Sequence, residues 1–165
     1  MSLYAARAVP STALAQLRVT DDAGRACVPF ADAEGGNPLR CCLRLSVAGE
    51  RIALVSYAPL RRWAAETGAE PGAYDEQGPV FVHAEECGGP GPSEAYPFER
   101  AGALRTLRRY DAEGRIAGGR LLELPDAPGE GFDRAFAEAF ADPAVVLVHV
   151  RAVEYGCFQF EVRRP

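Results

Sequence analysis

The feature that most constrains the fold of this chain is a series of short apolar segments separated by turns rich in aspartate and glycine. Residues 104–110 lead into Asp111-Ala112-Glu113-Gly114, and residues 115–124 follow. Residues 17–20 lead into a turn of the same chemistry that ends at Gly24, and Cys27-Val28 come after it. Glycine in such a turn adopts the positive φ that other residues avoid. Both segments are therefore predicted to be hairpins.

Four further apolar runs have the length and composition of strands, namely residues 51–57, 80–84, 145–150 and 158–163. Only a few residues around Tyr155-Gly156 join the last two, so we expect that pair to be antiparallel. Gly118-Gly119 within residues 115–124 predicts a β-bulge.

Helix signals are fewer. Phe132, Phe136 and Phe140 recur every four residues, which predicts a helix near 131–141 that packs on a sheet. Two shorter helices are predicted at residues 11–17, with Ser11 as the cap, and at residues 60–67, ended by Gly68. Together these patterns predict an α+β fold: a single domain over residues 1–165 with a mainly antiparallel mixed sheet and a few short helices.

Several kinds of chemistry are excluded because the chain of 165 residues contains no lysine. A pyridoxal phosphate Schiff base and a phosphate-binding loop both require that residue. The formal net charge of −5 argues against a nucleic-acid partner, and no apolar stretch reaches the ~20 residues that span a bilayer, so no membrane partner is expected. The first residues do not form a secretory signal, which predicts a cytoplasmic protein.

The five cysteines are expected to be reduced, because a cytoplasmic compartment and an odd number both argue against a disulfide framework. No Cys-x-x-Cys spacing is present. Adjacent Cys41 and Cys42 point in different directions in most backbones, so we do not expect both to bind one ion. Each cysteine is interpreted as a small buried apolar residue.

Both histidines lie at the polar end of an apolar strand, and each precedes a charged residue by two positions. Strand periodicity places His83 with Glu85, and His149 with Arg151, on one face of its strand. If the strands are neighbours, these four residues form a pocket that binds an anionic small molecule or catalyses proton transfer on it. Further residues expected to line this pocket are Cys42, Cys87 and Tyr155.

Two alternatives stay open at this point. The polar groups could satisfy one another in a non-enzymatic interaction or structural protein. They could also bind a metal such as zinc through His83, Cys87 and His149, with Cys42 or Cys157 as a further ligand. The sequence does not decide whether the protein is an enzyme.

Four segments carry a resemblance to a known family: residues 40–44 (Arg-Cys-Cys-Leu-Arg), 49–59, 78–85 and 148–158. Their order and content are similar to the bacterial family catalogued as domain of unknown function 1203. The resemblance covers nearly the whole chain and implies a bacterial origin. It implies no activity, substrate or cofactor.

Overall fold

The structure, a computed structural model, describes residues 2–165 and contains two β-sheets and three α-helices. The helices are α1 (Ser11–Leu17), α2 (Pro59–Thr67) and α3 (Pro128–Ala141), and a 3-10 turn covers Gly72–Tyr74. The strands are β1 (Phe30–Ala31), β2 (Pro38–Leu39), β3 (Arg44–Leu45), β4 (Arg51–Tyr57), β5 (Gly78–His83), β6 (Leu104–Tyr110), β7 (Ile116–Glu123), β8 (Leu147–Ala152) and β9 (Phe158–Arg163).

The strands divide into a first sheet, ordered β1-β4-β5-β2-β3, and a second sheet, ordered β7-β6-β8-β9. All pairs are antiparallel except β2 with β5, which are parallel and in register at Leu39 and Phe81. The predicted α+β class with mainly antiparallel strands is confirmed. The strands form two sheets, however, where the sequence pattern indicated one.

The second sheet is covered on one face by α3. Phe132 and Phe136 of the predicted stripe are fully buried and pack with Val148, Val150 and Phe160. The opposite face of β8 is also enclosed, because Leu147 packs with residues of α2. β8 is therefore a central strand with protein on both sides.

The first sheet has its own apolar cluster, in which Leu14 and Leu17 of α1 pack with Ile52, Val55 and other residues of β4 and β5. Phe158 at the start of β9 belongs to this cluster and links the two sheets. No helix within residues 2–165 combines the length and the apolar character that crossing a membrane requires.

The two Asp-Gly turns form as predicted, but only one joins two strands. Asp21 and Asp111 each accept backbone hydrogen bonds from residues two and four positions further on, and Gly24 and Gly114 have φ of +80° and +81°. The first turn carries a single β-bridge, between Thr20 and Ala26, because the preceding residues belong to α1. The prediction that two strands form a hairpin at this position was wrong.

The smaller predictions have mixed outcomes. β6 and β7 shift register between Arg109 and Tyr110, opposite Gly118, which confirms the bulge. Helix α2 ends at Gly68, in the left-handed conformation with φ of +79°. The predicted cap at Ser11 was wrong, since Ser11 is the first residue of α1 and Pro10 precedes it without a side-chain cap.

Two glycines in the first turn of α3 give a matched pair for testing the packing. A methyl group at Gly131 would lie 2.5 Å from Pro125 Cδ, whereas at Gly129 the nearest atom is 3.8 Å away. Alanine in a helix normally stabilises by up to about 1 kcal/mol relative to glycine. We expect Gly129→Ala to show that gain and Gly131→Ala to lose about 1–3 kcal/mol through overpacking. Urea unfolding measures both, and equal effects of the two substitutions would contradict the packing described.

Candidate metal centre

Three cysteines and one histidine from three separate segments converge at one end of the first sheet. The ligand atoms of Cys41, Cys42, His83 and Cys87 all lie within 4.8 Å of one another. Cys41 Sγ is 3.9 Å from Cys42 Sγ and 3.3 Å from His83 Nδ1, and Cys42 Sγ is 3.7 Å from the same nitrogen. Groups this close, all of them metal-ligating types, form a candidate metal centre.

The parallel pairing of β2 and β5 explains why two of these segments meet. Leu39 is in register with Phe81, so the two strands end side by side. Cys41 follows Leu39 by two residues, as His83 follows Phe81. The backbone N–H of His83 then donates to Cys41 Sγ at 3.2 Å. The register of one pair of strands thus places the first thiol beside the imidazole.

A tight turn after β2 brings the second thiol to the same side. The backbone N–H of Leu43 donates to the carbonyl of Leu39, and Leu43 itself has a positive φ of +59°. Residues 40–43 are consequently a turn, in which successive side chains do not alternate as they do in a strand. The expectation that Cys41 and Cys42 point apart was wrong for this reason.

Cys87 reaches the cluster after the chain has left β5. The strand ends at His83, a bend follows at Ala84 and Glu85, and the chain then continues without regular structure to Cys87. Gly88 and Gly89 follow with φ of +76° and +79°, values that glycine adopts readily. Cys87 is half-buried, and together with Cys41 it borders a cleft along α1, so the centre is reachable from solvent on that side.

The second ring nitrogen of His83 faces a charged pair. His83 Nε2 is 3.2 Å from Glu50 Oε1 and 3.3 Å from Arg44 Nη2. The Arg44 guanidinium donates to both Glu50 oxygens, at 2.5 and 3.1 Å, and holds the pKa of that carboxyl below its ordinary value. A proton on Nε2 would be donated to Glu50, which leaves the Nδ1 lone pair directed at the thiols.

The thiols themselves titrate differently. A hydrogen bond from Cys41, together with that from the Arg44 backbone N–H, lowers the pKa of Cys42 to about 6 despite its burial. The same bond and burial raise the pKa of Cys41. The proton shared between the two thiols therefore lies on Cys41 and not on Cys42.

Residues 36–164 match a family model described as protein of unknown function, DUF1203. The chain belongs to this family. The resemblance found in the sequence is thus confirmed, and the matched residues include the whole cysteine and histidine cluster. No curated protein and no solved structure matches the chain.

In this DUF1203 protein the residues predicted to form one pocket have separate surroundings. Glu85 is exposed and pairs with Arg51 at 3.1 Å, because the strand ends before it. Arg151 lies 3.4 Å from Glu76 and donates to the carbonyl of Gly156. Tyr155 is 85% exposed. Of the predicted set, the structure brings together only His83, Cys42 and Cys87.

His149 lies in the second sheet, away from these groups, and has no exposed surface. Its ring packs edge-on against Tyr110 and Phe158, with centroids 4.9 and 5.1 Å apart. Nε2 is 3.4 Å from Glu161 Oε2, but neither ring nitrogen has a hydrogen bond of good geometry within the described chain. This imidazole is enclosed because β8 is covered on both faces. It is not part of the candidate metal centre, which contains Cys41 instead.

Three of the residues near this cluster were missed by sequence reasoning. Cys41 was left out because adjacent side chains were expected to point in different directions, as they do in a strand. Arg44 and Glu50 belong to no recognisable metal-binding motif. The family resemblance contained the only signal, since residues 40–44 and 49–59 were among its matching segments.

The enclosure of His149 predicts a pH dependence of stability. Burial lowers the pKa of this imidazole from its ordinary 6.5, against the effect of Glu161 and in the same direction as the charges of Arg151 and Arg108. The unfolded chain then binds a proton that the folded chain does not, so the free energy of unfolding falls as the pH drops below about 6.5, by up to about 1.4 kcal/mol per pH unit. We expect His149→Gln to reduce this slope below about pH 6.5, whereas the slope above about pH 6 that arises from the lowered pKa of Cys42 should remain.

Urea unfolding at several pH values between 5 and 7.5, with a chelator present throughout, measures the effect. Glu161, whose pKa is lowered, loses its contribution only as the pH falls below about 4.5 and so leaves this window unaffected. Equal slopes for the wild type and His149→Gln would show that the imidazole does not titrate as described.

Proposed function

We propose that this DUF1203 protein binds a divalent metal ion, Zn²⁺ by preference, through the sulfurs of Cys41, Cys42 and Cys87 and through Nδ1 of His83. The observation that carries the proposal is the convergence of these four atoms from three segments. Thiolate and imidazole ligands in a set of four are typical of zinc and atypical of magnesium or calcium.

The spacing of the ligand atoms supports a tetrahedral ion. A tetrahedron with Zn–S bonds of ~2.3 Å and a Zn–N bond of ~2.1 Å has edges of about 3.8 Å between sulfurs and about 3.6 Å between sulfur and nitrogen. The three measured edges are 3.9, 3.3 and 3.7 Å. The edges to Cys87 are no longer than 4.8 Å, so side-chain movements of about 1 Å would close the site around an ion.

The surroundings suit a centre with three thiolates. Such a centre with Zn²⁺ carries one excess negative charge, and the guanidinium of Arg44 lies next to the His83 ring. Arg18 donates to the carbonyl of His83 at 3.1 Å and brings a second positive charge. Glu50 fixes the ring orientation from the other side, as carboxylates do for many metal-bound histidines.

Four protein ligands fill the coordination sphere, which is the arrangement of structural zinc sites. Catalytic sites keep a position open for water or substrate. The ion would join the turn after β2, the end of β5 and the glycine-rich segment after Cys87. We therefore infer a stabilising role in which the metal fixes these three segments relative to one another.

A thiol-dependent enzyme is the second candidate, because Cys42, His83 and Glu50 form a series of thiol, imidazole and carboxylate. Such a series activates a nucleophilic cysteine in other enzymes. Cys42 is only 8% exposed, however, and the cleft along α1 is bordered by Cys41 and Cys87 and not by Cys42. A substrate would have no open approach to the sulfur, so the metal site is preferred.

Metal content tests the proposal directly. Protein produced with added zinc and purified without metal-affinity resin should carry about one equivalent of zinc by elemental analysis. Cys87→Ser should lose most of it, while Cys157→Ser, which alters another half-buried free cysteine, should retain it. After exchange, Co²⁺ should give an intense thiolate charge-transfer band and the visible bands of a tetrahedral site.

Metal content below a tenth of an equivalent after reconstitution, with no cobalt–thiolate band, would refute the metal site. Selective alkylation of Cys42 in the same metal-free protein would then favour the thiol enzyme.

The carboxylate behind His83 gives a second, finer test. Glu50→Gln keeps the shape of the side chain but removes the charge that orients Nε2–H. We expect zinc affinity to fall about 10- to 100-fold, measured by competition with a chromophoric chelator, while the stoichiometry stays at one. Glu85→Gln alters an exposed carboxylate that pairs with Arg51, and it should leave the affinity unchanged. Equal affinities for all three proteins would exclude a role for Glu50 in the site.

A further inference from the structure

A cleft of about 900 Å³ lies beside the first sheet and is distinct from the metal centre. Its walls come from β2 to β5, from the segment around Phe98–Arg100, and from the connection between β8 and β9. This volume is at the upper end of the range for small-molecule sites in proteins. None of the four proposed metal ligands lines it.

A buried guanidinium without a carboxylate partner lines this cleft. Arg40 is 3% exposed, and its hydrogen bonds run from Nε to the carbonyl of Phe158 and from Nη1 to that of Pro38. Both acceptors are neutral, and no acidic group within residues 2–165 forms an ion pair with it. Burial lowers the pKa of Arg40 to about 10, so the group remains charged at neutral pH.

Two more buried polar groups in the cleft wall are incompletely satisfied. Arg105 is 5% exposed, donates from its terminal nitrogens to the carbonyls of Leu104 and Phe98 and lies 3.8 Å from a Glu154 oxygen, but its Nε has no partner in the described structure. The Gln159 amide oxygen is likewise buried without a donor. Buried polar groups are rarely left unpaired, since each costs about 1–3 kcal/mol. One unpaired donor, one unpaired acceptor and a buried charge thus line the same cleft, which is the lining expected of a site for a polar ligand.

The other residues that line the cleft indicate the polarity and the charge of its ligand. Leu54 on β4 and Leu45 on β3 are 51% and 53% exposed, and together with Phe81 they give the cleft an apolar wall. The charged lining residues are Arg40, Arg100, Arg105, Glu99 and Glu154. Three guanidinium groups against two carboxylates leave one positive charge, which matches a monoanion better than a doubly charged phosphate.

We propose that this cleft binds a small organic carboxylate, with the carboxylate paired to Arg40 and Arg105 and the apolar body lying against Leu54 and Phe81. Arginine forms the paired hydrogen bonds that a carboxylate accepts. The apolar wall supplies the hydrophobic part of the affinity. The proposal does not depend on the metal centre.

A matched pair of probes tests it: 1-naphthaleneacetate and its uncharged amide, 1-naphthaleneacetamide. In calorimetric titration the acid should bind the wild-type protein at least tenfold more tightly than the amide, because only the acid pairs with the buried charge. Arg40→Met should remove that preference, because it weakens binding of the acid far more than binding of the amide. Arg115→Met, a substitution on the exposed turn before β7, should bind both probes as the wild type does.

Cys157 gives a readout in the wild-type protein, so the result does not depend on a variant that folds. This half-buried thiol lines the cleft, whereas Cys27, also half-buried, does not. Saturating 1-naphthaleneacetate should slow the alkylation of Cys157 by iodoacetamide at least severalfold and leave that of Cys27 unchanged, as measured by peptide mass spectrometry.

Equal affinity for acid and amide, no binding of either probe, or equal protection of both cysteines would overturn the proposal. If Arg40→Met does not fold, Arg105→Met replaces it with the same expected loss of acid preference.

Discussion

The parallel pairing of β2 and β5 is the interaction on which the rest of the site depends. β2 has only two residues, yet its register with Phe81 fixes where the following turn begins. A shift by one residue would reverse the faces on which successive side chains lie and move Cys41 away from His83. The backbone N–H of Arg40 donates to the Phe81 carbonyl and its own carbonyl accepts from Val9, so neighbours on both sides hold the turn.

One peptide supports both proposed sites. The side chains of Arg40 and Cys41 leave the chain in different directions, the first to the large cleft and the carbonyl of Phe158, the second to the thiol cluster. A buried guanidinium is expensive to enclose without an anion beside it, and a buried thiolate is expensive to enclose without a cation. The polar composition of residues 40–44 in an otherwise apolar region is explained if each face of the turn receives an ion of opposite charge.

The fold was largely predictable because its strands are separated by strong turn signals. β4, β6 and β9 have the predicted bounds, and the Phe-striped helix packs where its periodicity indicated. The site was predictable only in part, since periodicity applies to a strand and not to the turn at residues 40–43. The burial of His149 could not be predicted either. Its strand pattern resembled that of His83, but whether a strand lies at an edge or in the centre depends on tertiary packing that local sequence does not encode.

The two histidines also show how burial decides the role of an imidazole. His83 is half-buried, ends its strand and keeps Nε2 near a carboxylate and Nδ1 near thiols, so its Nδ1 is placed to serve as a ligand of the proposed metal ion. His149 has no exposed surface and lies between two aromatic rings, where a positive charge would be poorly solvated. An ion could not reach its nitrogens without opening the core between the sheets. The same residue type at similar strand positions thus belongs to a proposed binding site in one sheet and to the packed core in the other.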